Sequence, residues 1–237
     1  MLQPRRHDVS RLEGFSDAVF GFALTLLVVS LETPKTTDDL RRLLGGLLPF
    51  AVTFAMVCWI WYQHNIFFRR YGLQDAWTVF LNCALLFVVL FYVYPLKFLA
   101  GLLLGGDPRS SFLNQDGRAI MFMYSSGVLV LFTTFVLLHW HAWRSRLALG
   151  LDERELLTLR FSTRAHVFSA SIAIASLVLL VVVNQSMYAG IVYGLMGPLH
   201  AWNGFKGGAA QEALKKKLSA PAEELQRDHK TDDEPGR

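Results

Sequence analysis

Charged and polar side chains inside long apolar runs are costly, so they mark where chemistry is to be sought in this chain. The run RLEGFSDAVFGFALTLLVVSL, residues 11–31, opens with Arg11, Glu13 and Asp17 and carries no further charge. Ser10 and Glu13 have the spacing of a capping box, which starts a helix at Arg11 and places Glu13 at the positive end of its dipole. Asp17 is harder to explain as a terminal residue. At a rise of ~1.5 Å per residue it lies about 10 Å into the helix, past ordinary interfacial solvation. A carboxylate at that depth needs a partner, which Ser16, Arg11 or a residue of another helix can supply. Two readings stand side by side: a structural polar network at the head of the helix, and a role in moving ions.

The other polar residues in apolar runs carry less. His64, in WIWYQHNIFF, is by default a hydrogen-bonded core residue, and Asn82 reads as a hydrogen bond between helices. His139 and His141 form an HxH pair at a helix end, without a third ligand nearby to make a metal site. Cys58 and Cys83 lie in separate apolar runs and read as small packing residues rather than a disulfide. Gly190, Gly194 and Gly197 fall nearly on one face and read as close helix packing.

The elements that must position these residues are membrane spans. Of the 237 residues 53% are hydrophobic and only 18% charged. The apolar residues gather in blocks of about 18 or more, the length a bilayer core demands of a helix. Six spans are expected, over about 11–31, 47–68, 77–99, 119–143 and 164–183, with a shorter sixth ending near Trp202. Pro95 is expected to loosen the end of the third span and Lys97 to snorkel there. Residues 105–118 read as a turn-rich loop. Six spans put both termini on one side, and 17 of the 23 Lys and Arg then fall on that side. The positive-inside rule makes it the cytoplasm. The expected layout is a six-helix transmembrane domain over 1–204 and a charged, largely disordered tail over 205–237. The connectors are too short for a soluble catalytic domain, so the function lies within or across the bilayer.

Arg11-Leu12-Glu13-Gly14-Phe15-Ser16-Asp17, followed by AVFGFALTLLVVSLETP, resembles the RxxxFSD signature that opens the first helix of the transmembrane protein 175 family. These are potassium channels of endosomes and lysosomes, with single-repeat prokaryotic homologues. The resemblance is sharpest over residues 11–34, and His64 supports it as the second-helix histidine of the family. It implies a homotetramer of six-helix subunits in a prokaryotic inner membrane, with a central pore lined by the first helix. It also implies passive potassium conduction through an apolar constriction, in place of a backbone-carbonyl filter. On the signature's register the pore positions are Phe22, Thr25 and Val29, which follow Arg11, Phe15 and Ala18 along one helical face. The signature network comprises Arg11, Phe15, Ser16, Asp17 and His64. Phe22 departs from the Ile or Leu usual at the first constriction, which bears on conduction and ion preference.

Other functions remain to be weighed. A proton- or cation-coupled transporter would use Asp17 and His64 as its relay, yet the chain lacks a convincing internal repeat and its first span has no central Gly or Pro break. A membrane enzyme would need paired His or carboxylates deep in the spans. A scaffold that transports nothing is a further possibility. The expectation is a channel that is not an enzyme, with no cofactor and no nucleic-acid partner, whose partners are its own copies, the bilayer and permeant potassium ions.

Overall fold

The structure, a computed structural model, describes residues 9–31, 33–104 and 115–232. The described residues are helical throughout, joined by short turns. Helix α1 (Arg11–Val29) starts at a complete capping box: the Glu13 amide donates to Ser10 Oγ at 3.2 Å, and the Ser10 amide donates to Glu13 Oε2 at 2.8 Å. It ends at Ser30, whose hydroxyl donates to the Leu27 carbonyl. A short polar helix, α2 (Thr37–Gly45), leads into α3 (Leu47–Tyr71). Gly72 closes α3 in the left-handed conformation at φ 60°, a backbone state that a Cβ disfavours.

Asp75 caps α4 (Ala76–Leu104), which runs through Pro95 without a break. After residues 105–114, which lie outside the described part, come α5 (Gln115–Arg144) and α6 (Glu153–Val182). The expected loop at 105–118 is thus already helical from Gln115. Helix α6 begins eleven residues ahead of the expected span, because Asp152 and Glu155 form a second capping box. Asn184, at φ 58°, reverses the chain into α7 (Ser186–Ile191), a 3-10 turn (Val192–Leu195) and α8 (Met196–Asp232).

Among the described residues five helices, α1, α3, α4, α5 and α6, are long and apolar enough to cross a membrane. The expected sixth span corresponds to α7, the 3-10 turn and the first turns of α8. Where the sequence suggested a largely disordered tail from residue 205, α8 continues as helix to Asp232.

Helix α1 packs on α3 and α4, α4 on α5, α5 on α6, and α6 on α8. One core joins these layers, with Phe20, Ala23 and Leu27 of α1 set among residues that include Val57, Phe67, Leu85 and Phe135. Tyr92 of α4 lies over Gly127 on α5, where an added Cβ would overlap its ring. Tyr92 donates its hydroxyl to the Met123 carbonyl across the same seam. The glycine stripe of the sequence is placed differently: Gly190, Gly194 and Gly197 each face open space within the subunit. Lys97 reaches back rather than outward, its Nζ donating to the Ser30 carbonyl at 2.7 Å and to Ser30 Oγ at 2.6 Å. The far ends of α1 and α4 are tied there. Cys58 and Cys83 are free thiols.

Candidate functional site

Helix α1 has two faces of unlike surroundings. Glu13, Ser16, Phe20, Ala23 and Leu27 recur at spacings of three and four and are buried against α3 and α4. The opposite side carries Arg11, Phe15, Ala18, Phe22, Thr25 and Val29, all exposed in the isolated subunit. Phe22 is 67% and Val29 71% accessible, high values for apolar side chains at the centre and far end of a span. The Thr25 hydroxyl donates to the Gly21 carbonyl at 2.9 Å, which satisfies its proton within the helix and leaves oxygen lone pairs facing outward.

The buried face is held by a directed chain of hydrogen bonds. Ser16 Oγ donates to the Leu12 carbonyl at 2.8 Å and accepts from Asn82 Nδ2 of α4 at 2.9 Å. That fixes the carboxamide so that Asn82 Oδ1 faces His64 Nε2 of α3, at 2.7 Å. A carbonyl oxygen can only accept, so His64 carries its proton on Nε2. The chain runs His64 to Asn82 to Ser16 to Leu12, in one direction and across three helices. Ser16, Asn82 and His64 are all buried, and the His64 ring lies against Phe68, with centroids 4.5 Å apart, and against Phe20 at 5.5 Å.

Asp17 is held separately. Its Oδ1 accepts from the indole Nε1 of Trp61 on α3 at 2.7 Å. The structure therefore brings Ser16 and His64 together through Asn82 and gives Asp17 to Trp61. Phe15 lies on the exposed face of α1 rather than in either set of bonds, and among the described residues Arg11 hydrogen-bonds to none of Ser16, Asp17 and His64. Asn82 had a legible signal, as an amide inside an apolar run. Trp61 had a weaker one: it lies one turn before His64 and on the same side of the helix.

The HxH pair divides its bonds. His139 Nδ1 donates to the Phe135 carbonyl at 2.8 Å, while His141 Nε2 meets Asp75 Oδ2 at 2.9 Å. Asp75 also accepts from the Thr78 hydroxyl at 2.7 Å and from two backbone amides at the head of α4. Desolvation raises its pKa, but the bonds from Thr78 and His141 outweigh it and bring the carboxyl down to about 2. Among the described residues no group of three His, Cys, Asp or Glu is placed to hold a metal ion.

The family model of the endosomal/lysosomal potassium channel TMEM175 matches residues 11–92, from the head of α1 into α4. A potassium channel of Marivirga tractuosa is 37% identical over 207 residues, which cover 80% of this chain and 84% of that protein. A potassium channel of Streptomyces collinus is 28% identical over 147 residues, covering 59% and 66%. Among solved structures, a threonine-to-alanine variant of the potassium channel MtTMEM175, in complex with a nanobody–MBP fusion protein, aligns with a TM-score of 0.75 and 34% identity over 87% of this chain and 97% of that one. The lysosomal potassium-selective channel TMEM175 homologue of Chamaesiphon minutus shares the fold at a TM-score of 0.56 and 23% identity, over 83% and 96%. The matched region opens on Arg11, Phe15, Ser16 and Asp17, and the similarity to one relative extends over most of both chains. This chain belongs to the TMEM175 family.

Proposed function

We propose that the chain is one subunit of a potassium-selective channel that conducts passively across a prokaryotic inner membrane. Four copies surround the pore, α1 of each lines it, and both termini are cytoplasmic. The observation that carries this reading is the uncovered face of α1. That face carries Phe22, Thr25 and Val29 in register, and a ring of identical helices gives each of these residues three counterparts across an axis. One subunit offers a single such helix and cannot enclose a pore alone. The basic residues favour the same topology, with 17 of 23 Lys and Arg on the side of the termini.

An apolar ring at Phe22 and Val29 gates by dewetting and penalises the more tightly hydrated ion. Potassium sheds water more readily than sodium, so such a ring favours it, and the four Thr25 hydroxyls offer oxygen ligands on the way. The relatives are named as channels rather than enzymes, which accords with a chain that catalyses no reaction. A carrier relay through Asp17 and His64 has less support, because Trp61 holds one and Asn82 the other.

Liposomes containing the purified protein test the proposal. Flux of potassium well above that of sodium is expected, with no dependence on a proton gradient. Equal flux of both ions, or flux only when a second gradient drives it, would overturn it.

A further inference from the structure

Two helices removed from α1, α5 and α6 leave an open groove of about 640 Å³ between them. Its lower walls are apolar, with Val136 of α5 and Val167 of α6. Its upper part is formed by Trp140, Trp143, Arg160 and Arg164. These four lie where α5 ends and α6 begins, the level at which tryptophans and snorkelling arginines mark a membrane interface.

The guanidinium groups lie against aromatic rings. Trp143 has Arg160 over its ring at 5.0 Å and Arg146 at the same distance, and Arg144 lies 5.0 Å from the Trp140 ring. Arg164 stacks on Trp202 of α8 at 4.5 Å, and its Nε donates to Asn203 Oδ1 at 2.7 Å. Its Nη2 is buried and has no hydrogen-bond partner among the described residues. Of the three acids near these arginines in sequence, Asp152 and Glu155 form the cap of α6 and Glu153 is exposed in its first turn.

The groove thus combines the positive charge of Arg160 and Arg164, two tryptophans beside it, and an apolar floor open to the side. That combination suits a ligand that is anionic at one end and hydrocarbon at the other. We infer that the groove binds an anionic phospholipid of the cytoplasmic leaflet. The phosphate accepts from the guanidinium of Arg160, the glycerol region lies against exposed Trp140, and an acyl chain follows Val136 and Val167. This rests on the membrane orientation proposed above and not on α1 lining the pore.

Native mass spectrometry of the delipidated full-length protein in detergent tests it, with phosphatidylglycerol, phosphatidylcholine of the same chains and inorganic phosphate as probes. Phosphatidylglycerol is expected to be retained at one copy per subunit and in preference to phosphatidylcholine. Arg160→Gln should weaken it about fivefold, while Arg164→Lys, which keeps the charge, should weaken it less. Arg160→Gln should leave potassium selectivity in liposomes unchanged. Equal retention of both lipids, or Arg160→Gln binding phosphatidylglycerol like the parent, would overturn the assignment. So would inorganic phosphate competing as well as the lipid, which would make the site one for a free anion. A change in oligomeric mass on Arg160→Gln, without loss of lipid, would mark the groove as a contact between copies and overturn it too. Lipid retention without potassium flux would instead refute the channel reading and leave this one standing.

Discussion

Asn82 Nδ2 on α4 donates to Ser16 Oγ on α1 at 2.9 Å, and this contact fixes the direction of the bond between Asn82 and His64. Because the amide nitrogen is committed to Ser16, its oxygen receives the Nε2 proton of His64. Truncation to Asn82→Ala leaves that proton unpaired in a buried site and leaves Ser16 short of a donor. A loss of about 1–3 kcal/mol is expected, read as an earlier midpoint of unfolding in detergent. Ser16→Ala, which removes the other end of the same bond, should add little in the double variant. Full additivity of the two substitutions would show that the bond contributes nothing.

The indole of Trp61 and the carboxylate of Asp17, 2.7 Å apart, couple the head of α1 to α3. Trp61→Phe keeps an aromatic ring and removes only the donor. Charge-assisted bonds of this kind contribute about 1.5–3 kcal/mol, so Trp61→Phe and Asp17→Ala should each reduce assembly and flux together. Size-exclusion profiles and liposome flux measured on the same preparations check this. If Asp17→Ala assembled and conducted like the parent, Asp17 would have no part in bracing α1.

Acid should act first on the turn between α3 and α4. The Asp75 carboxyl is held at about 2, below its ordinary value of 3.8. A depressed carboxyl contributes stability that is complete above its unfolded pKa and is lost as pH falls through the folded one. Thermal stability in detergent should therefore decline between about pH 4 and pH 2, and Asp75→Asn, which still caps α4, should flatten that decline. An identical acid profile in parent and variant would remove Asp75 from the account.

Lys97 and Ser30 tie the other end of α1 to α4. Lys97→Met keeps the length of the side chain and loses the donors. It should cost about 1–3 kcal/mol and increase hydrogen exchange at residues 27–30. Unchanged exchange there would mean that the last turn of α1 does not depend on Lys97.

Much of this architecture was legible in the residues themselves. Ser10 and Glu13 declare the start of α1, apolar length declares the spans, and Arg11, Phe15, Ser16 and Asp17 declare the family. Which polar groups meet was not legible, because helical periodicity gives a residue's face but not the rotation of one helix against another. Ser16, Asn82 and His64 each stood out alone, and the relative rotation of α1, α3 and α4 made them one chain. Trp61 was hidden by its type, since an indole inside a span reads as apolar packing until a carboxylate is seen beside it. Close packing fell at Gly127, opposite Tyr92, rather than at the glycine stripe of 190–197, because a stripe shows where helices can approach and not whether a partner is there. The start of α6 was carried by Asp152 and Glu155, a cap readable in the sequence but overshadowed by Arg160 and Arg164, which break the apolar run. Those arginines are accommodated by stacking on Trp143 and Trp202.

The central claim, that the uncovered face of α1 is the permeation surface, is tested by reversal potentials under opposed potassium and sodium gradients in one planar bilayer system. The parent should reverse close to the potassium equilibrium potential. Phe22→Ala removes the bulkiest side chain of the exposed face, so it should raise conductance and move the reversal potential toward zero, and Thr25→Val should alter selectivity. Leu27, fully buried against the neighbouring helices, is the control. Leu27→Ala should cost about 2–5 kcal/mol of stability while the channels that survive keep the parental reversal potential. A selectivity change in Leu27→Ala, with Phe22→Ala and Thr25→Val reversing like the parent, would contradict the assignment of this face to the pore.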